Sequence, residues 1–179
     1  MPRKKVQLTP GLAARAAVVR ARRTLDEIDT LRLVNESIAV GISQDVVADA
    51  LGASQATVSR LVAKVAEQPR ALRPSVDEIV SRAVVNEIDR KQMVDALRGL
   101  KITYVSADKK PDSEWARLRT ALRSGLVSEA EATAVAEATA ARMVGRVTHS
   151  MDLEAQHVPD ESTKQMLRST TEKLVAGLG

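Results

Sequence analysis

Residues 44–64 read Q-D-V-V-A-D-A-L-G-A-S-Q-A-T-V-S-R-L-V-A-K, and they leave few choices for the fold around them. Val47, Ala48 and Leu51 fall at helical spacing on one side of a first short helix. Val58, Leu61 and Val62 form the matching side of a second. Between them Gly52 is free to adopt the positive φ that ends a helix abruptly. Ser54 then caps the second helix by accepting from backbone N–H groups of its first turn. Ala48 stands where two steeply crossing helices touch most closely, so a larger side chain there would push them apart.

Two helices at a wide angle, joined by a short turn containing glycine, make a helix-turn-helix pattern. It resembles the DNA-binding helix-turn-helix of bacterial repressors, of the lambda-repressor-like and Trp-repressor-like kinds, and the promoter-reading end of sigma factors. The likeness rests on small Ala48, apolar Leu51, Gly52, the S-Q-A-T-V-S-R run from Ser54 to Arg60, and apolar Leu61. It covers residues 44–64 of a 179-residue chain and is silent on the rest. The resemblance implies that the second helix enters the major groove with its N-terminal residues toward the base edges. Gln55 would then hold adenine N6 and N7, and Arg60 guanine O6 and N7, each in bidentate fashion. Ala56 and the methyl of Thr57 would meet thymine methyls. Ser54, Ser59 and Lys64 are placed for phosphates or as secondary readers. Asp45 and Asp49, on the first helix, are expected to face away from DNA, because like charge beside phosphates is costly.

Charge follows the same division. Residues 1–70 carry 11 Lys and Arg against 7 Asp and Glu, whereas residues 71–179 carry 16 of each, so the net charge of +4 lies wholly in the first part. Its first 23 residues are basic and hold no acid. Arg3, Lys4 and Lys5 form an arm that either tracks phosphates or the minor groove, or is simply a solvated start. Thr9-Pro10 reads as a cap and first helical residue, for a helix to about Arg23. Thr24-Leu25-Asp26-Glu27 has the form of a capping box opening a second helix, with Leu25, Ile28, Leu31, Val34 and Ile38 as its apolar side and Gly41 as its stop. The expectation is a DNA-binding head of three to four helices over residues 1–68, with Ser43 capping the first motif helix.

Prolines at 69 and 74 mark residues 69–74 as a linker, and residues 75–179 as a second helical domain for dimerisation or partner binding. Capping boxes at Ser75–Glu78 and Ser128–Glu131, and Asp89 with Gln92, open helices whose apolar sides include Val76, Ile79 and Val80, then Met93, Val94 and Leu97, then Val135, Met143, Val144, Val147 and Met151. Another helix carries Trp115, Leu118 and Leu122. A pattern from about Glu129 to His157, broken by Pro159, reads as the longest, and a last helix spans about Glu161 to Ala176 with Met166, Leu167, Leu174 and Val175. Residues 101–106, K-I-T-Y-V-S, give the one β-like alternation, read as an extended linker or an edge that pairs with a second copy. The stretch Ala83–Leu97 echoes Ala121–Val135 as ordinary helical-hairpin punctuation.

The fold class expected is therefore all-α. Trp115 and Tyr104 are the only aromatic residues, so the core must be built from Ala, Val, Leu, Ile and Met, which suits helix packing and argues against single-strand or RNA binding by stacking. With no cysteine there is no disulfide framework and no cysteine zinc site. His149 and His157 have no acid at ligand spacing, no phosphate loop or G-x-S-x-G occurs, and no nucleophile or metal-binding acid set supports a recombinase or transposase. No metal, cofactor or catalytic residue is expected. Without a long apolar run or an export signal the chain reads as soluble and cytoplasmic, of bacterial, phage or plasmid origin, and Asn35-Glu36-Ser37 matches a glycosylation acceptor by chance. The function expected is a sequence-specific double-stranded DNA-binding regulator, a homodimeric repressor, since nothing resembles a polymerase-contacting or ligand-sensing module. The alternative is a DNA-binding adaptor of antitoxin or plasmid-partition type, whose residues 75–179 hold a different protein.

Overall fold

The computed structural model describes residues 9–102 and 113–157, with side chains through Arg142. Within them the chain forms seven α-helices, one 3-10 turn and no strand. The first helix, α1 (Pro10–Ala39), runs 30 residues without a break. Thr9 accepts from the Leu12 amide at 3.4 Å and Pro10 occupies the first turn, as the sequence leads one to expect. The helix does not stop at Arg23. A Thr-x-x-Glu box marks a helix start only where the preceding residues break the helix, and no glycine or proline lies between Leu12 and Ala39. Ala21, Leu25, Leu31 and Val34 are buried along one continuous side of α1, so packing carries the helix through Thr24.

Behind α1 stand α2 (Gln44–Leu51) and α3 (Gln55–Glu67). Val34 of α1, Val47 and Ala48 of α2 and Val58 of α3 form one buried cluster, with Ile38, Leu51, Leu61 and Val62 packed against it. After α3, Pro69–Leu72 winds into a 3-10 turn that packs on both α3 and α1. Next come α4 (Val76–Val84), α5 (Arg90–Gly99), α6 (Glu114–Arg123) and α7 (Glu129–His157). These surround a second, larger cluster in which Met93, Leu97, Val76 and Val135 are fully buried. Ile102, at the start of the β-like alternation, is itself buried in that core, while residues 103–106 and the helix expected over 161–176 lie outside the described residues. The apolar side expected of α7 is described at Val135, whereas the side chains of Met143, Val144, Val147 and Met151 are not among those described.

Four helix ends close in the same way. Gly41, Gly52, Asn86 and Gly125 each take a positive φ, between 61° and 86°. The next amide reaches back five residues in every case: Ile42 to Ser37, Ala53 to Ala48, Glu87 to Arg82 and Leu126 to Ala121, at 2.9–3.0 Å. This is the Schellman closure, which satisfies carbonyls that a helix end would otherwise leave without donors. Ser43 and Ser54 cap the following helix two residues after the left-handed residue, whereas Asp89 and Ser128 do so three residues after it. The extra residue is apolar, Ile88 or Val127, and plugs the larger core. The likeness between Ala83–Leu97 and Ala121–Val135 is thus one corner built twice.

Because a β-carbon on Gly52 would meet no atom within 4 Å, replacing Gly52 tests backbone strain alone. Gly52→Ala is expected to cost about 1 kcal/mol, the penalty for an L-residue in the left-handed region. Chemical denaturation measures it, and Asn86→Gly, at the same φ, is the control expected to be neutral or stabilising.

The capping boxes differ in what their acids do. Asp89 and Gln92 close theirs in both directions, at 2.7 and 2.8 Å. Ser128 and Glu131 do the same, at 3.3 and 2.7 Å. At Ser75 the hydroxyl accepts from Glu78, but the Glu78 carboxylate does not return the bond. It is engaged elsewhere: Arg32 of α1 grips both its oxygens at 2.6 and 2.7 Å, and Arg82 donates to one at 3.1 Å. Arg32 also donates to the Leu72 carbonyl, and Arg82 to Asp29 and Glu87. The Val76 amide is satisfied from across the fold by Glu114 at 2.6 Å. Four charged side chains, Asp29, Arg32, Arg82 and Glu87, therefore join α1 to α4 around the buried Glu78.

Candidate nucleic-acid interface

The constrained inner face of residues 44–64 is placed by burial. Val47 and Ala48 are buried on α2, Val58 is fully buried on α3, and Leu51 and Leu61 pack against them. Ala48 contributes only a methyl group to this contact, which is what lets α2 and α3 meet around Val34 of α1. Gly52 ends α2 at φ 61°, ψ 28°, and Ser54 caps α3 by accepting from the Thr57 amide at 3.2 Å. With its apolar residues turned inward, α3 directs Gln55, Ala56, Ser59, Arg60 and Lys64 to solvent. The centre of this outer side is low, because Ala56, Ser59 and Ala63 are small, and longer polar groups stand at its borders.

Several of these polar groups are held in place. Gln55 donates from Nε2 to Oε1 of Gln44 at 3.0 Å, so the first residues of α2 and α3 are tied together. Sequence reading did not single out Gln44. The signal available was its position, first in α2 as Gln55 is first in α3. Arg60 lies along its own helix, donating to the Ala56 carbonyl at 3.2 Å and to the Thr57 hydroxyl at 3.4 Å. Thr57 is half-buried, and its hydroxyl shares a 2.9 Å hydrogen bond with Ser54, so its methyl is less open than that of Ala56. Asp45 and Asp49 are exposed on α2. Arg3, Lys4 and Lys5 lie outside the described residues.

Other chemistry is not assembled in the described part. No group of three or more His, Cys, Asp or Glu there could hold a metal ion, and no helix there is long and apolar enough to cross a membrane. The pKa shifts found belong to structural ion pairs. Glu78 is held below the ordinary carboxylate range, chiefly by the hydrogen bond from Arg32, against the opposing effect of burial. At Glu131 burial is the largest single influence and pushes upward, but the Ser128 amide and Arg90 together outweigh it and leave the carboxyl low. No protein-family model, curated protein or solved structure matches this chain, so its functional reading rests on the geometry of its own residues.

Proposed function

We propose that this chain is a sequence-specific double-stranded DNA-binding regulator that acts as a dimer, a repressor, with α2 and α3 forming a helix-turn-helix whose second helix reads the major groove. The observation that carries the reading is the outer side of α3. Its apolar residues are spent on the contact with α1 and α2, its middle is low enough for close approach, and donors and acceptors at its N-terminal end are exposed and oriented. That combination suits base edges, which offer hydrogen-bonding groups and thymine methyls side by side. Gln55, steadied by Gln44, and Arg60 are the readers, while Ser59 and Lys64 lie toward phosphates. Residues 1–68 are its DNA-binding part, and the chain works inside the bacterial cytoplasm.

Selection of bound sequences from a random duplex library tests this reading. A single enriched motif supports it, and recovery of unenriched DNA or of none refutes it. The basic arm makes a separable contribution. Removing residues 1–8 takes away Arg3, Lys4 and Lys5, and the slope of log affinity against log salt is expected to fall by about 0.9 for each phosphate released. The preferred sequence should stay the same, and an unchanged slope would show that the arm makes no phosphate contact.

A further inference from the structure

The side of α1 turned away from the core, continued by its C-cap residue Val40, carries a pattern that neither core uses. Leu12, Val19, Leu33 and Val40 are large apolar residues left 50%, 60%, 47% and 76% exposed. They stand at intervals of seven or fourteen, with Asp26 in the missing place, so Leu12, Val19, Asp26, Leu33 and Val40 form one seven-residue series. Seven residues fall slightly short of two helical turns, so such a series stays in line only for a neighbour wound around it with a slight left-handed twist. Another helix of similar length fits that description better than a globular surface does.

The charges beside the stripe say which helix. On one flank, three residues after each of the first four members of the series, come Arg15, Arg22, Asp29 and Glu36. The flank is basic toward the N-terminal end and acidic toward the C-terminal end. A parallel pair of such helices would set this flank beside the opposite flank of the other copy, Ala16, Arg23, Thr30 and Ser37, which offers no acid to Arg15 or Arg22. An antiparallel pair sets Leu12 against Val40 and Val19 against Leu33, and in the same register Arg15 of one copy meets Glu36 of the other and Arg22 meets Asp29. Asp29 already accepts from Arg82 at 3.0 Å, so the Arg15 and Glu36 pair is the freer of the two. Asp26 falls at the two-fold axis opposite its own copy, a like-charge contact that weakens the pair, with Arg23 one turn away. A surface that matches itself when inverted is what a two-fold contact requires.

We infer that α1 pairs antiparallel with α1 of a second copy of this chain, through Leu12, Val19, Leu33 and Val40, with Arg15 and Glu36 setting the direction. The contact does not depend on α3 binding DNA. Sedimentation equilibrium on the full chain, without DNA, reads it directly. The wild-type chain is expected to be a dimer. V19E/L33E, at two exposed sites, is expected to be a monomer with unchanged helical circular dichroism. R15E alone should raise the dissociation constant about tenfold, and R15E/E36R should restore it, because only an antiparallel pair re-forms both ion pairs. A monomeric wild-type chain overturns the inference. So does a dimer indifferent to V19E/L33E, which is held elsewhere, residues 75–179 included. Failure of R15E/E36R to rescue overturns the antiparallel arrangement.

Discussion

Glu78→Ala is expected to destabilise the fold by about 3 kcal/mol at neutral pH, because it leaves the paired guanidinium groups of Arg32 and Arg82 without their shared carboxylate. Glu78 is buried and its side chain is 7% exposed, whereas Arg32 and Arg82 keep about a quarter of their side-chain surface, which holds the loss toward the lower end for a buried pair. The effect should depend on pH in a definite direction. A carboxyl whose pKa is depressed on folding contributes stability above its unfolded value, and that contribution is lost as pH falls through the folded value. The difference between wild type and Glu78→Ala should therefore be full at neutral pH and shrink once pH drops below the ordinary carboxylate range. Urea denaturation of both chains on the two sides of that range measures it. Equal differences at both pH values would show that Glu78 acts through its shape and not its charge. Glu131, also held low, is common to both chains and cancels from the comparison.

Arg60→Ala should leave stability unchanged and cost about 1–3 kcal/mol on the preferred DNA sequence, roughly a five- to 150-fold loss. Arg60 is exposed, and in the free chain it bonds to the Ala56 carbonyl and the Thr57 hydroxyl of its own helix. Both bonds are exposed, so a swing toward guanine exchanges one set of acceptors for another at little cost. The loss should be confined to one base pair of the selected motif, with affinity for unrelated duplex nearly unchanged. Lys64→Ala offers the contrast, a similar weakening on every sequence and a salt slope smaller by about 1. Titration by fluorescence anisotropy separates the two, and an equal loss for Arg60→Ala on all sequences would falsify base reading by this residue.

Local features of this chain are plain in its sequence where a single residue forces the backbone. Gly41, Gly52 and Gly125 sit at left-handed helix ends, Ser43, Ser54 and Ser128 cap the helices after them, and Asp89 caps the helix of Arg90–Gly99. Alternation at three and four placed Val47, Ala48, Val58, Met93, Leu97 and Val135 inside. What sequence could not show was where a local signal yields to packing. Thr24 to Glu27 has the letters of a helix start, yet the buried run Ala21, Leu25, Leu31 carries α1 straight through. Glu78 has the letter of a capping acid, yet two arginines claim it, and only the folded chain brings Arg32 across 46 positions to meet it. Asn86 takes the left-handed corner that a glycine fills elsewhere. At the candidate interface the exposed residues of α3 were legible from their spacing, whereas the tie from Gln44 to Gln55 needed both helix starts in one place.

The unbroken course of α1 bears on how the two halves behave toward each other. One rod about 45 Å long packs on α2 and α3 and also on α4, with Glu78 clamped to it by Arg32. The prolines at 69 and 74 therefore do not leave the two cores as beads on a string. A load placed on α4, by a neighbouring protein or by any change in the larger core, meets a lever whose other arm is seated under Val58 of α3. The same stiffness that positions the outer side of α3 would let an event on the far half tilt it.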